Sequence, residues 1–151
     1  MAQAFSVEVP IRFSNCDPAG IVYFPEFFDM INSLVEDWFT IGMDTSYADL
    51  MMRARIGTPT IDIQCEFLKP CRYGERLTLA LVVTKIGRTS FHLAESGMVE
   101  GELRWRTRHV LCFLSNETSR PVAIPEALRE KMARFMQGPD GTGGRARGLG
   151  A

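Results

Sequence analysis

A change of hydrophobic period limits this chain more than any other feature. Apolar side chains recur at Phe24, Phe27, Phe28, Ile31, Leu34, Val35 and Trp38, the three-and-four spacing of a helix. From Thr58 the period is two, with Ile61, Ile63, Cys65 and Phe67 on one face and Asp62, Gln64 and Glu66 on the other. The runs "ERLTLALVVTKIG", "RTSFHLAESGMVE" and "GELRWRTRHVLCFLSN" then follow as long strands separated by glycine-containing turns. Nothing helical intervenes, and a parallel crossover needs a dozen or more connecting residues, so sequential antiparallel pairing is expected. The fold class is α+β, one antiparallel sheet wrapped around one long helix.

The flanks fit this plan. "AFSVEVPIRF" alternates Phe5, Val7, Val9 and Ile11 as a first strand, with Pro10 marking an edge or a bend. Pro25 suits the first helical turn. Met30, Phe39 and Ile41 widen the helix's apolar arc to about half its circumference, so other structure should largely enclose it. Gly42 suits the helix stop, "TSYADLMMRAR" a shorter helix, and "IPEALREKMARFMQ" a closing amphipathic helix. A chain of 151 residues suits one domain, expected over residues 1–137. Residues 138–151, "GPDGTGGRARGLGA", have little to anchor them and are expected to form a flexible tail.

Composition narrows the partners. A net charge of −1 with 46% hydrophobic residues gives no electrostatic reason to expect nucleic acid. The cysteines at 16, 65, 71 and 112 form no C-x-x-C pair, and with two histidines they suggest neither a metal site nor a bound cofactor. Free thiols fit a reducing compartment. The segment "MAQAFSVEVPIRF" lacks a basic stretch leading into an apolar run, so no signal peptide or membrane partner is expected. The expected location is cytoplasmic.

Several residues could carry chemistry. Asp17, in "SNCDPAGIVYFPEFF", either shapes its own turn by accepting backbone amides or acts as base or nucleophile beside the following helix N-terminus, whose free amides suit an oxyanion. Cys16 is a rival nucleophile, since a helix N-terminus can depress a thiol pKa; otherwise it is a small loop residue. Asn32 lies at the margin of the apolar arc, either as a satisfied core amide or as a contact to a ligand along the helix. Arg104, Arg106 and Arg108 share one strand face, and pairing with Asp62 and Glu66 is expected over phosphate binding. "KIGRTSF" is a strand-to-strand turn whose basic and hydroxyl groups suit phosphate.

On "CDPAGIVYFPEFF", "GTP" and "RTSF", the chain resembles the hot-dog-fold acyl-CoA thioesterases, specifically the 4-hydroxybenzoyl-CoA thioesterase family, over about residues 5–137. The resemblance implies a homodimer or homotetramer that hydrolyses an acyl-CoA thioester. It implies that Asp17 is the catalytic carboxylate and that the backbone amide of Phe24 polarises the thioester carbonyl. Relatives commonly have tyrosine at that position, so the ring hydroxyl is absent here, and Tyr23 stands next to it. Phe27, Phe28, Ile31, Asn32 and Thr58 are the implied acyl pocket, and Arg88, Thr89 and Ser90 the implied contacts to CoA. Asn32 replaces an aspartate of the hydroxybenzoyl-specific enzymes, which implies an acyl range of benzoyl, substituted aryl or medium acyl groups. The same fold leaves a carrier-protein thioesterase and a non-catalytic acyl-CoA-binding module as alternatives.

Overall fold

The structure is a computed structural model that describes residues 3–137; the tail expected over 138–151 lies outside the described residues. Five strands form the main sheet: β1 (Phe5–Pro10), β3 (Thr60–Phe67), β4 (Arg76–Ile86), β5 (Ser90–Val99) and β6 (Glu102–Cys112). Their spatial order is β1-β4-β5-β6-β3, antiparallel throughout. A two-residue ladder joins β2 (Ile56–Gly57) to β7 (Leu114–Ser115). The helices are α1 (Pro25–Asp37), the short α2 (Tyr47–Met52) and α3 (Glu126–Ala133). None of the described helices is long and apolar enough to cross a membrane.

Alternation in the strands builds the core. In β5 every second residue from Phe91 to Val99 is buried, and Leu77, Leu79, Leu81 and Val83 do the same in β4. Against this face α1 lays Phe27, Ile31, Leu34 and Val35, continued by Trp38 and Phe39. Each large apolar side chain buried this way stabilises the fold by about 1.5–3 kcal/mol. The β5–β6 hairpin turns at Glu100 and Gly101 with φ of 50° and 80°, the two positive values that a tight primed turn requires.

Four expectations are corrected. Ile41 is 67% exposed, because the chain after α1 widens into a π-helical turn over Trp38–Gly42, closed by the Met43 N–H donating to the Trp38 carbonyl at 2.7 Å. That wider turn rotates Ile41 out of the α-helical arc. The far side of α1 is also open, with Asp29, Asn32, Ser33 and Glu36 exposed, so this chain covers only one face of the helix. In β3 the register slips between Thr60 and Asp62, and this bulge turns Ile61 outward, away from the face of Ile63 and Cys65. The closing helix is shorter than its pattern: past Ala133 it tightens into turns in which the Phe135 and Met136 amides donate to the Met132 and Ala133 carbonyls at 3.0 and 3.2 Å, and Met136 then bridges Val83, whose N–H donates to the Phe135 carbonyl at 3.0 Å. Gly42 does suit its place: a β-carbon there would lie 3.0 Å from both the Phe5 and Trp38 rings.

One polar cluster sits inside the sheet. Glu95, Thr107 and His109 are all at most 2% exposed. Glu95 accepts the Thr107 hydroxyl at 2.6 Å and lies 2.9 Å from His109 Nδ1, while His109 Nε2 meets the Thr60 hydroxyl at 2.8 Å. Every polar group in it is partnered, as a buried carboxylate requires. The same carboxylate adds to burial in pushing the Cys65 thiol up to about 11.

The arginines of β6 divide. Arg106 pairs with Glu66 on β3, as expected, and Asp62 faces Val110 instead of an arginine. Arg104 departs because the β5–β6 register slips between Gly97 and Met98, leaving Arg104 as the extra residue. Its guanidinium grips Glu75 at 2.9 and 3.1 Å, the Pro70 carbonyl at 2.7 Å and Glu102 at 2.9 Å. The Arg104 hydrogen bonds hold the Glu75 carboxyl below its ordinary value of 4.5.

Two predictions follow from packing and charge. A β-carbon at Gly97 would lie 2.4 Å from Trp105 Cε2 and Nε1, and Trp105 is wholly buried. Gly97→Ala should therefore lower stability by about 2 kcal/mol, read as a shift of the urea midpoint; an unchanged midpoint would mean that the ring is not held there. Because the folded-state pKa of Glu75 is depressed, its contribution is present above the ordinary value and is lost as pH falls below about 4.5 toward the folded pKa. Wild type should lose stability across that window, and Glu75→Gln should show a shallower acid dependence.

Candidate active site

The segment holding Asp17 is a short hairpin. Cys16 bridges Val22, the Asp17 N–H donates to the Ile21 carbonyl at 2.9 Å, and the Tyr23 N–H donates to the Asn15 carbonyl at 2.9 Å. Gly20 closes the turn with φ of 80°, a conformation that glycine adopts without steric cost. The Asp17 carboxylate splits its duties. Oδ1 accepts the Ala19 amide at 2.8 Å, which is the turn-shaping role, and Oδ2 meets no hydrogen-bond donor among the described residues. Half of the carboxylate holds the loop and the other half is unengaged among the described residues.

The same hairpin feeds directly into α1. Pro25 at the first helical position has no N–H to offer. The Glu26 amide donates to the Tyr23 carbonyl at 2.8 Å and the Phe27 amide to the Phe24 carbonyl at 3.0 Å. That leaves the Phe24 N–H, which meets no acceptor among the described residues. It points from the positive end of the helix dipole. Asn15 fixes the junction by donating from Nδ2 to Glu26 Oε1 at 3.0 Å. Asp17 pairs with Ile21 on the hairpin, and Phe24 follows three residues later at the start of α1.

An aromatic wall borders this point. The Phe67 ring lies 5.9 Å from Phe24, 5.8 Å from Phe27 and 6.3 Å from Phe28, and Phe27 rests on Trp105 at 5.6 Å. Tyr23 and Phe24 are both 56% exposed and Phe28 is half-buried, so apolar surface is open here. Ile31 lies beneath it in the core. Asn32 is exposed on α1, so of its two readings the satisfied core amide is not the one this chain shows.

The remaining sequence-derived positions are elsewhere. Thr58 is buried and bonded to the Tyr47 hydroxyl at 2.6 Å. It lies beside the β4–β5 turn, since the Cys112 amide donates to the Pro59 carbonyl and Phe113 to that of Thr89. Arg88 is exposed at this turn, with Thr89 and Ser90 half-buried. Thr60 and Phe67 mark opposite ends of β3, about 23 Å apart along the strand. Within one chain, Thr58, Arg88, Thr89 and Ser90 are therefore not brought to Asp17.

Cys16 loses its claim as the nucleophile. Burial and the Asp17 carboxylate raise its thiol pKa rather than lower it, and His109 is occupied by Glu95 and Thr60. Two residues escaped the sequence reading. Tyr47 anchors Thr58, and Arg129 of α3 donates to the Gly87 carbonyl at 2.7 Å, bracing the Arg88 turn. Both act through tertiary contacts that no local pattern announces.

Comparisons with known proteins identify the family. The family described as the thioesterase-like superfamily matches residues 11–132. The chain is 28% identical over 130 residues to 4-hydroxybenzoyl-CoA thioesterase of Pseudomonas sp. (strain CBS-3), covering 82% of this chain and 92% of that one. It is 23% identical over 125 residues to 1,4-dihydroxy-2-naphthoyl-CoA hydrolase of Synechocystis sp. (strain ATCC 27184 / PCC 6803 / Kazusa), covering 80% and 90%. A crystal structure of a mutant 4-hydroxybenzoyl-CoA thioesterase complexed with 4-hydroxybenzoyl-CoA superposes with a TM-score of 0.79 at 22% identity, covering 87% of this chain and 99% of that one. The chain belongs to the thioesterase-like superfamily and is a thioester hydrolase of the hot-dog fold.

Proposed function

We propose that the protein hydrolyses an aryl-CoA thioester, such as benzoyl- or hydroxybenzoyl-CoA, to the free acid and CoA. The carrying observation is the pairing of an unengaged Phe24 amide at the N-terminus of α1 with an unengaged Asp17 oxygen on the hairpin that leads into it. An amide fixed at a helix terminus stabilises the oxyanion as the thioester carbon becomes tetrahedral. Asp17 Oδ2 either attacks that carbon, giving an acyl anhydride that water then cleaves, or takes a proton from the attacking water. Both routes break the C–S bond and release CoA thiolate, and both need the same two atoms.

The aromatic wall supports a flat acyl group. Phe24, Phe28 and Phe67 offer exposed or half-exposed ring surface next to the reacting centre, and ring-to-ring contact favours aryl over linear chains. The names of the relatives point the same way, since both act on aryl thioesters. Asn32, neutral and able to donate as well as accept, favours a range of aryl groups over strict 4-hydroxybenzoyl specificity.

The separation along β3 bears on assembly. Thr58 and the turn of Arg88, Thr89 and Ser90 lie too far from Asp17 to serve the same thioester within one chain. In this reading the protein is a homodimer or homotetramer, and a second copy supplies Thr58 and the phosphate contacts. The outer edge of β3, with Ile61 exposed along it, is open to such a copy.

Thiol release from benzoyl-, 4-hydroxybenzoyl-, phenylacetyl- and straight-chain acyl-CoA thioesters tests the reading. The aryl thioesters should be turned over fastest, and Asp17→Asn should lower kcat by about 100-fold or more while folding stays intact. Undiminished turnover in Asp17→Asn would remove the carboxylate from the mechanism. No turnover by wild type on any member would favour a carrier-protein thioester or a binding role.

A further inference from the structure

Arg104 stands where a regular ladder would place it on the outer face with Arg106 and Arg108. The slip between Gly97 and Met98 makes it the bulged residue and sends its side chain under the turn at residues 70–75. Its side chain is 11% exposed and its donors are directed to three different groups. Nη1 and Nη2 fork onto the two oxygens of Glu75, Nη1 also reaches the Pro70 carbonyl, and Nε meets Glu102. The Arg104 carbonyl accepts the Leu68 and Lys69 amides at 2.8 and 3.1 Å, so one residue holds both ends of that turn.

The turn is in turn the bed of the Asp17 hairpin. The Val22 amide donates to the Cys71 carbonyl at 2.9 Å, the Tyr73 amide to the Gly20 carbonyl at 2.9 Å, and Ile21 bridges Arg72. Glu75 itself accepts the Arg72 amide at 2.7 Å, and its backbone carbonyl takes the Ile11 amide at 2.9 Å. Every strand-like contact of residues 20–22 outside their own hairpin therefore lands on a segment whose shape depends on Arg104.

We propose that Arg104 is a positioning residue for the reacting centre: through the turn at residues 70–75 it sets where the hairpin holds Asp17 and the Phe24 amide. Arg104 touches neither the thioester nor the reacting atoms. Its effect is on geometry that must hold to a fraction of an ångström, because a displacement of about 1 Å at a reacting centre can cost two orders of magnitude in rate. A forked guanidinium fits this task better than an ammonium, which offers one point charge in place of two parallel bonds.

This inference rests on the thioesterase reading, and its test includes a measurement that does not need substrate. Full-length Arg104→Met and Arg104→Lys are compared with wild type in steady-state hydrolysis of the thioester that wild type turns over fastest. Arg104→Met should lower kcat about tenfold or more with KM changed less than about twofold, and Arg104→Lys should recover part of the lost kcat. Amide hydrogen exchange without substrate should speed up at Val22 and Tyr73 in Arg104→Met, while the centres of β4 and β5 keep their protection. Unchanged exchange at Val22 and Tyr73, or wild-type kcat in Arg104→Met, would overturn the proposal. Should Arg104→Met fail to fold, Arg104→Lys carries the same test, with an intermediate kcat and exchange rate expected and wild-type values contradicting it. Absence of turnover in wild type would instead count against the function, leaving the exchange result to decide on the clamp.

Discussion

The structure depends on one packing contact, the apolar side of α1 laid across the inner face of β4, β5 and β6. Phe27, Ile31, Leu34, Val35 and Trp38 on one side meet Leu79, Leu81, Phe91, Leu93 and Trp105 on the other. A helix so fixed along its length cannot tilt at its start without opening the core. Its N-terminus is thereby a fixed point, and the hairpin that enters it is tied to the turn at residues 70–75. That is where the chain keeps its unengaged amide and its half-engaged carboxylate.

Most of the fold was legible because period-two and period-3.6 patterns leave little ambiguity in long segments. β4, β5 and β6 and the long helix fall where alternation and helical spacing put them, and their uninterrupted order implied antiparallel neighbours. The failures share a cause: local departures from ideal repeats. Ile41 was misplaced because a π-helical turn changes the angular step after Trp38. Ile61 was misplaced by a bulge in β3, and Arg104 by a register slip in β6. A bulge is decided by cross-strand fit, which a single strand does not carry.

The site was legible to a different degree. Asp17 and Phe24 were found through the motif around them, yet local sequence could not say that one carboxylate oxygen shapes the turn while the other stays open. The turn-shaping role weighed for Asp17 is visible in one oxygen, and the second oxygen meets no donor among the described residues. The Glu95 and His109 pair was invisible in advance, since it joins residues on different strands. Tyr47 and Arg129 were equally hidden, each bracing a position that the motifs had marked. What sequence supplies is the candidate groups; what the fold adds is the set of contacts around them.

In the proposed mechanism the Phe24 amide receives the thioester oxygen beside Asp17. A crystal structure of Asp17→Asn with bound benzoyl-CoA tests it most directly. The carbonyl oxygen should lie about 3 Å from the Phe24 nitrogen, with the thioester carbon facing the side chain at position 17. An acyl group seated elsewhere, with the Phe24 amide still unengaged, would contradict it.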